Sequence, residues 1–436
     1  MSLMRNLTNE IVNSLSLKID GRYLPKWILN SDVEFDADFS NNRYYDGSEV
    51  VFPFTVSRNS PISYFNSDGD IATAGVDVPA FGYDPETLEP LGLLSFGQST
   101  NIVPYSVSDS TNWTAAGSSL TDLSLNALGV FDGLAISTNG QLFANAYVGN
   151  ISVTSGTTYT TTVFYREGTS GSIRFNLRED ATGNQTLLAG SIGGSYTNVS
   201  SDAGTYTEID DVLLADGLTR MFTAIYVPNF TGTMSFRVGP QSSTAGEDVI
   251  SLGFQMEEGN IPTPYIPTSG ATATRNTQSC IISGIENLTW FNNNEGTFYF
   301  EGRAPLNDGQ FSILFNANID ATQTDDFIRG NINSSGYVQL RGEDSNIEQL
   351  NNQYTGEPKA TGQDSFNVTF AYKENDFGAV YDGNLFTDAS GVVPAPLDTL
   401  SIGASNAGGS VLNGFIKRFT YYKTRLSNNR LGVLSS

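Results

Sequence analysis

The residues that could carry out chemistry are notable first for what is missing. Histidine is absent, and cysteine occurs once, as Cys280. That removes the usual general base, the usual zinc ligand, every Ser–His or Cys–His nucleophile pair and any intrachain disulfide. Catalysis would fall to carboxylates, Lys, Tyr or a bound ion. A glycan depolymerase built that way needs two carboxylates at a set separation across a groove, but 46 Asp and Glu residues make chance pairs common. The adjacent pairs Asp210-Asp211 and Glu257-Glu258 fall on expected strands, where neighbours point to opposite faces. No residue is assigned a catalytic role.

Sugar binding asks for an aromatic face with amides and carboxylates around it. Trp290 and Phe291, followed by Asn292, Asn293, Asn294 and Glu295, fit that pattern, and Trp113 is a further candidate. For these rings, as for Tyr337, Tyr354, Tyr381, Tyr421 and Tyr422, the competing reading is burial in a core. Calcium needs several loop oxygens. Asn66-Ser67-Asp68-Gly69-Asp70 superficially matches such a loop but lacks the remaining ligands, and a hairpin turn explains it better. Asp320 and Thr324-Asp325-Asp326 read as solvated turns. No metal or cofactor is assigned; calcium has no support.

The elements that must position these residues are strands. Only 16% of residues are charged, 27 Phe and 20 Tyr are present, and Ser, Thr, Asn and Gly fill the polar remainder. That mixture favours short strands with tight turns. Residues 96–266 alternate through Tyr159–Tyr165, Ser172–Leu177, Met221–Val227 and Thr233–Val238, which predicts a jelly-roll type antiparallel sandwich. Residues 267–284, rich in Pro, Thr and Ser with the stretch before them, read as a linker. Residues 285–436 open a second strand series that includes Thr297–Phe300, Phe311–Phe315, Phe366–Tyr372 and Phe415–Tyr422. Residues 1–95 form an N-terminal segment in which Asp68-Gly69 marks a hairpin. Leu3, Leu7, Ile11 and Leu15 recur every fourth residue and predict one short amphipathic helix that packs on its own domain or on a partner. The expectation is an all-β chain of two antiparallel sandwiches behind an attachment segment.

The net charge of −24 repels nucleic acid and anionic headgroups. No apolar run is long enough to span a bilayer, and the first residues do not read as a secretion signal. The expectation is a chain made in a cytoplasm that does not insert into membranes.

Three stretches carry a resemblance. Ser57-Arg58-Asn59-Ser60-Pro61, Tyr64–Gly69, Val78–Pro85, Leu91–Leu94, Ser99–Ser106 and Asn112-Trp113-Thr114 form an ordered series that resembles the entry region of phage head-spike, head-fibre and tail-fibre proteins. Leu252–Gly259 with Thr263–Gly270 resembles the exit of their carbohydrate-binding-module-like jelly roll. Asn413–Tyr422 with Arg425-Leu426-Ser427 resembles the last strand of a concanavalin- or laminin-G-like domain. Ala80 stands where that family often has Arg, and Phe96 where it has an acid. The resemblance implies a non-enzymatic virion structural protein: a capsid decoration, head spike, or tail or collar fibre. It would be held to capsid, portal or tail proteins through its N-terminal segment, form a homo-oligomer with a trimer favoured, and contact host-surface polysaccharide. The depolymerase is the alternative.

Overall fold

The structure is a computed structural model that describes residues 18–19, 22–23, 33–305, 309–319, 326–353, 363–381 and 383–435. The expected helix of Leu3, Leu7, Ile11 and Leu15 lies outside them, as do Asp320, Thr324, Asp325 and Tyr354. The chain is all-β, with antiparallel sheets paired into sandwiches. It divides into two compact units, one made of residues up to 55 with 280–407 and 416–436, the other of 56–279 with 408–415.

The unit centred on 56–279 faces two six-stranded sheets against each other. In order, one holds Thr114–Ala116, Asn145–Val153, Gly232–Pro240, Ser172–Glu179, Gln185–Ser191 and Tyr196–Ser201. The other holds Ser118–Ala127, Phe131–Thr138, Asp248–Glu258, Tyr159–Glu167, Thr219–Pro228 and Gly204–Leu213. Period-two alternation sends Ile173, Phe175 and Leu177 inward, all at 0% exposure. Between the sheets Phe236 stacks on Phe254 at 3.7 Å and Phe175 on Phe222 at 4.1 Å. Ile62–Phe65 pairs with Ile71–Ala74 as the Asp68-Gly69 signal predicts. Gly69 takes φ +82°, and Asn66 Oδ1 accepts the N–H groups of Asp68 and Asp70.

Side chains stitch the beginning and end of this unit together. Of the pair Glu257-Glu258, expected on a strand with opposite faces, Glu258 is exposed and Glu257 is buried, as is Gln255. The Glu257 carboxylate accepts the Thr263 N–H (2.8 Å), the Thr263 hydroxyl (2.6 Å), the Gln255 amide (3.0 Å) and the Ser99 hydroxyl. The Ile266 N–H donates to Gln255 Oε1, and the Asn101 amide donates to the Ile266 carbonyl. Arg58, also buried, donates to the carbonyls of Ser60, Gly75 and Val78 and to Gln278. A carboxylate and a guanidinium are buried here because each is surrounded by partners.

In the other unit one sheet runs Asn384–Asp388, Phe377–Tyr381, Gln363–Lys373, Glu295–Pro305, Gly414–Tyr422, Val33–Asp38, Arg43–Tyr45 and Glu49–Val50. The facing sheet includes Ile347–Gln353, Val338–Asp344, Phe327–Ile332, Ser312–Asn318, Thr399–Ile402 and Ser279–Ser283. Phe298, Phe315 and Phe419 fill the space between. Residues 33–50, expected within a separate N-terminal segment, are thus strands of this sandwich. Residues 273–275 and 279–283, within the expected linker, are strands too, since their Thr, Arg, Cys and Ile residues suit a pleat. The C-terminal stretch, expected within the second strand series, forms the helix Asn428–Leu434 after Ser427, with Leu431 buried.

Val33–Asp38 is held by charge. Arg418 donates to both carboxylate oxygens of Asp36 (3.0 and 3.1 Å), lies 3.6 Å from Asp38, and Thr420 adds a hydroxyl bond to Asp36. Burial raises the Asp36 carboxyl to about 6, outweighing the pull of Arg418. The folded chain therefore holds this proton more tightly than the unfolded chain. The resulting stabilisation is complete below the ordinary carboxyl value and disappears as pH rises through about 6. The stability of wild type relative to Asp36→Asn, from urea unfolding, should fall with rising pH between about 4 and 6, at up to ~1.4 kcal/mol per pH unit; a flat difference would show that Asp36 titrates normally. Glu257→Ala should cost roughly 3–5 kcal/mol, because several buried donors lose their acceptor. A loss under about 1 kcal/mol, the scale of exposed pairs, would contradict that role.

Candidate functional site

On the outer face of the sheet that begins with Thr114–Ala116, alternation places polar side chains opposite the core residues. Directly paired residues share a face. The register aligns Tyr147 with Arg237, Arg237 with Asn176, and Arg178 with both Ser235 and Gln185. The Arg237 guanidinium lies over the Tyr147 ring at 4.3 Å, and its Nε donates to Ser235 Oγ at 3.1 Å. The Asn176 amide donates to Gln185 Oε1 at 3.0 Å, and the Asn145 amide to the Phe143 carbonyl at 2.8 Å. Asn145 and Asn176 are each only 7% exposed, yet among the described residues neither Oδ1 accepts a hydrogen bond.

The cations on this face differ in what holds them. Arg174 is spent on structure, donating to the carbonyls of Leu142, Ala144 and Pro240. Burial, and then the charge of Arg237, push it down to about 10. Arg237 is lowered by burial and then by Arg178. Among the described residues, neither Arg178 nor Arg237 has a carboxylate within ion-pair distance, in a chain of net charge −24. The face thus offers guanidinium and amide donors beside buried carbonyl acceptors. That set suits a ligand rich in hydroxyl and other oxygen groups. With a guanidinium on the Tyr147 ring, recognition there runs through hydrogen bonds more than ring stacking.

The residues singled out in the sequence lie elsewhere. Trp290 and Phe291 are core side chains at 3% and 6% exposure. Trp290 stacks on Phe35 at 4.5 Å, and Phe291 on Tyr421 at 5.1 Å, so no ring face is open to a sugar. Asn292 donates its amide to the Lys423 carbonyl, and its own carbonyl accepts the Tyr372 hydroxyl; Asn293 Oδ1 accepts the Leu397 N–H. These amides organise a turn. Trp113, in the other unit, is 2% exposed, donates to the Val107 carbonyl and meets Phe236 edge-on. The pair Asp210-Asp211 splits: Asp211 turns in to accept Tyr165, Tyr196 and Arg220, while Asp210 is exposed. Among the described residues no three acidic or Cys side chains gather in a way that could hold a metal ion, and no helix is long and apolar enough to cross a membrane.

The face did leave a sequence signal. Arg174, Asn176 and Arg178 alternate with Ile173, Phe175 and Leu177, and Ser235 and Arg237 alternate with Met234, Phe236 and Val238. A strand whose outward positions are arginine and amide, in so acidic a chain, marks a face.

No family model matches this sequence, and none of the curated proteins does. Among solved structures the chain is similar to CBM40 of the Ruminococcus gnavus IT-sialidase bound to alpha2,6 sialyllactose, with TM-score 0.29 and 16% identity over 35% of this chain and 92% of that one. It is similar to the NanB sialidase from Streptococcus pneumoniae, with TM-score 0.29 and 15% identity over 35% of this chain and 26% of that one. It is also similar to the CBM22-1 xylan-binding domain of Paenibacillus barcinonensis Xyn10C, with TM-score 0.26 and 11% identity over 39% of this chain and 99% of that one. Likenesses this distant transfer no ligand or activity.

Trp290→Ala should lower stability by roughly 3–5 kcal/mol in urea unfolding, the cost of emptying a large core site. A neutral substitution would place the ring at the surface and reopen it as a sugar platform.

Proposed function

We propose that this chain is a non-enzymatic, glycan-binding structural protein of a bacteriophage particle, and that it binds carbohydrate on the outer face that carries Tyr147, Asn176, Arg178 and Arg237. The observation that carries the glycan reading is the pair of buried Oδ1 atoms, on Asn145 and Asn176, with no partner among the described residues, beside two arginines that form no ion pair there. A buried acceptor left unpaired costs about 1–3 kcal/mol. Sugar hydroxyls donate to such acceptors, and sugar oxygens accept from guanidinium groups. The virion reading is supported by the ordered entry and exit wording. In this proposal the particle holds the chain as a homo-oligomer through its N-terminal segment and presents the face to host-surface polysaccharide.

A glycan array probed with the full chain should give hits in the millimolar-to-micromolar range. Arg237→Ala and Asn176→Ala should weaken those hits about tenfold, or ~1.4 kcal/mol, without lowering the unfolding midpoint in proportion. A blank array, or hits indifferent to both substitutions, overturns the binding site. Release of reducing ends from host polysaccharide overturns the non-enzymatic part. Mass spectrometry of purified particles of a phage that encodes the chain should detect it, and its absence there overturns the virion part.

A further inference from the structure

The unit that contains residues 280–407 has a second polar face. Across its facing sheet, one register row runs Ser401, Asn316, Arg329, Arg341 and Asn351. The neighbouring row on the same side pairs Asn331 with Gln339. The opposite side of these strands is core: Phe315, Ala317, Ile328, Leu340 and Leu400 are all at 0% exposure. The polar row therefore lies on the side away from that core, as strand alternation requires, buried at Ser401 and Asn316 and more open toward Arg341 and Asn351.

Three features of that row go beyond a solvated surface. First, Asn316 and Asn331 are 4% and 0% exposed, and among the described residues neither Oδ1 has a partner; nor does Oδ1 of Asn406, whose amide reaches Asn318 at 3.3 Å. Second, Arg329 and Arg341 sit directly opposite each other, and like charges so placed repel. Glu348 neutralises Arg341 at 3.0 Å. Arg329 is faced by Glu343, whose attraction is outweighed by burial and by Arg341, so the guanidinium is pushed down to about 10. Third, the Arg329 guanidinium lies against the rings of Phe327 (4.1 Å) and Phe311 (5.1 Å), and its Nε has no partner among the described residues. A guanidinium set over rings keeps N–H groups that can pair with a carboxylate through two parallel bonds. Arg341 is partly exposed and Asn351 is exposed, which opens the row to solvent.

We propose that this face is a second binding site, for a carboxylate-bearing oligosaccharide, with the acid on the N–H groups of Arg329 and the sugar hydroxyls on the amide oxygens of Asn316 and Asn331.

The test uses the full chain carrying Arg237→Ala, so that the outcome is independent of the face on the other unit. Titration calorimetry with trigalacturonic acid should show one equivalent bound, weakened by added salt, while neutral maltotriose should bind at least tenfold more weakly. Adding Arg329→Ala should reduce trigalacturonate binding at least tenfold. Arg329→Lys, which keeps charge but loses the fork, should recover only part of it with an unchanged unfolding midpoint. Absence of binding, equal binding of the neutral sugar, or full recovery with lysine would each overturn the proposal.

Discussion

The Glu257 carboxylate is the interaction on which the 56–279 unit most depends. It lies at 0% exposure on the long Asp248–Glu258 strand and gathers donors from Ser99, Gln255 and Thr263. Those donors come from the start and end of the sandwich, more than 150 residues apart in sequence. A buried ion is tolerable only when its lone pairs are filled, so the loop after the strand must follow one path. Ser106 and Tyr265 extend the seam through a hydroxyl pair at 2.7 Å, and Thr268 donates to the Val103 carbonyl. Arg275 continues it by donating to Thr263 Oγ1 and to the Gly97 carbonyl. The side-chain bonds reinforce the antiparallel pairing of Ser99–Asn101 with Ala273–Arg275, which joins the two ends of the unit.

That seam explains why the entry and exit wording was legible as a unit before its meaning was. Ser99, Asn101, Ser106, Thr263 and Thr268 look like interchangeable polar residues of a loop, yet each has a set partner across the seam. The same seam defeated the local reading of Glu257. Two adjacent glutamates at a strand end look like a wet rim, and nothing within ten residues shows that one of them turns inward to partners from the far end of the unit. Long-range satisfaction of a buried charge leaves no periodic trace.

Strand periodicity, by contrast, is local, and it read well. Ser172–Glu179 and Thr219–Pro228 were visible as strands because their apolar residues alternate. The pattern could not say which sheet a strand joins. Val33–Asp38 pairs with Gly414–Tyr422, almost 380 residues away, and the bond that holds it, Arg418 to Asp36, is invisible to any window. Trp290 was misleading for a related reason. Amides after an aromatic pair are what a sugar platform looks like, but Asn292 and Asn293 spend their polar atoms on backbone groups of Lys423, Asn294 and Leu397 and so lock the rings inside. The Asn428–Leu434 helix went unread because one buried leucine gives no period.

The two outer faces follow the same physical rule from different strands. In each, alternation frees every second position from the core, and those positions hold arginines laid on aromatic rings beside asparagines whose carbonyl oxygens have nothing to accept. For solubility alone, lysine and glutamate at exposed positions would serve a chain of this acidity. Burying cations and unpaired acceptors on an outer face costs stability in both units, and neither seam nor core requires it. The rings restrict the guanidinium groups in advance, so less side-chain freedom would be lost on binding an oxygen-rich ligand of the kind proposed. Affinity at one such face is limited by its small area. Under the proposed virion reading, copies of the chain on one particle would add avidity without any new contact, and faces on β-sheets suit repeated, shallow engagement of that kind.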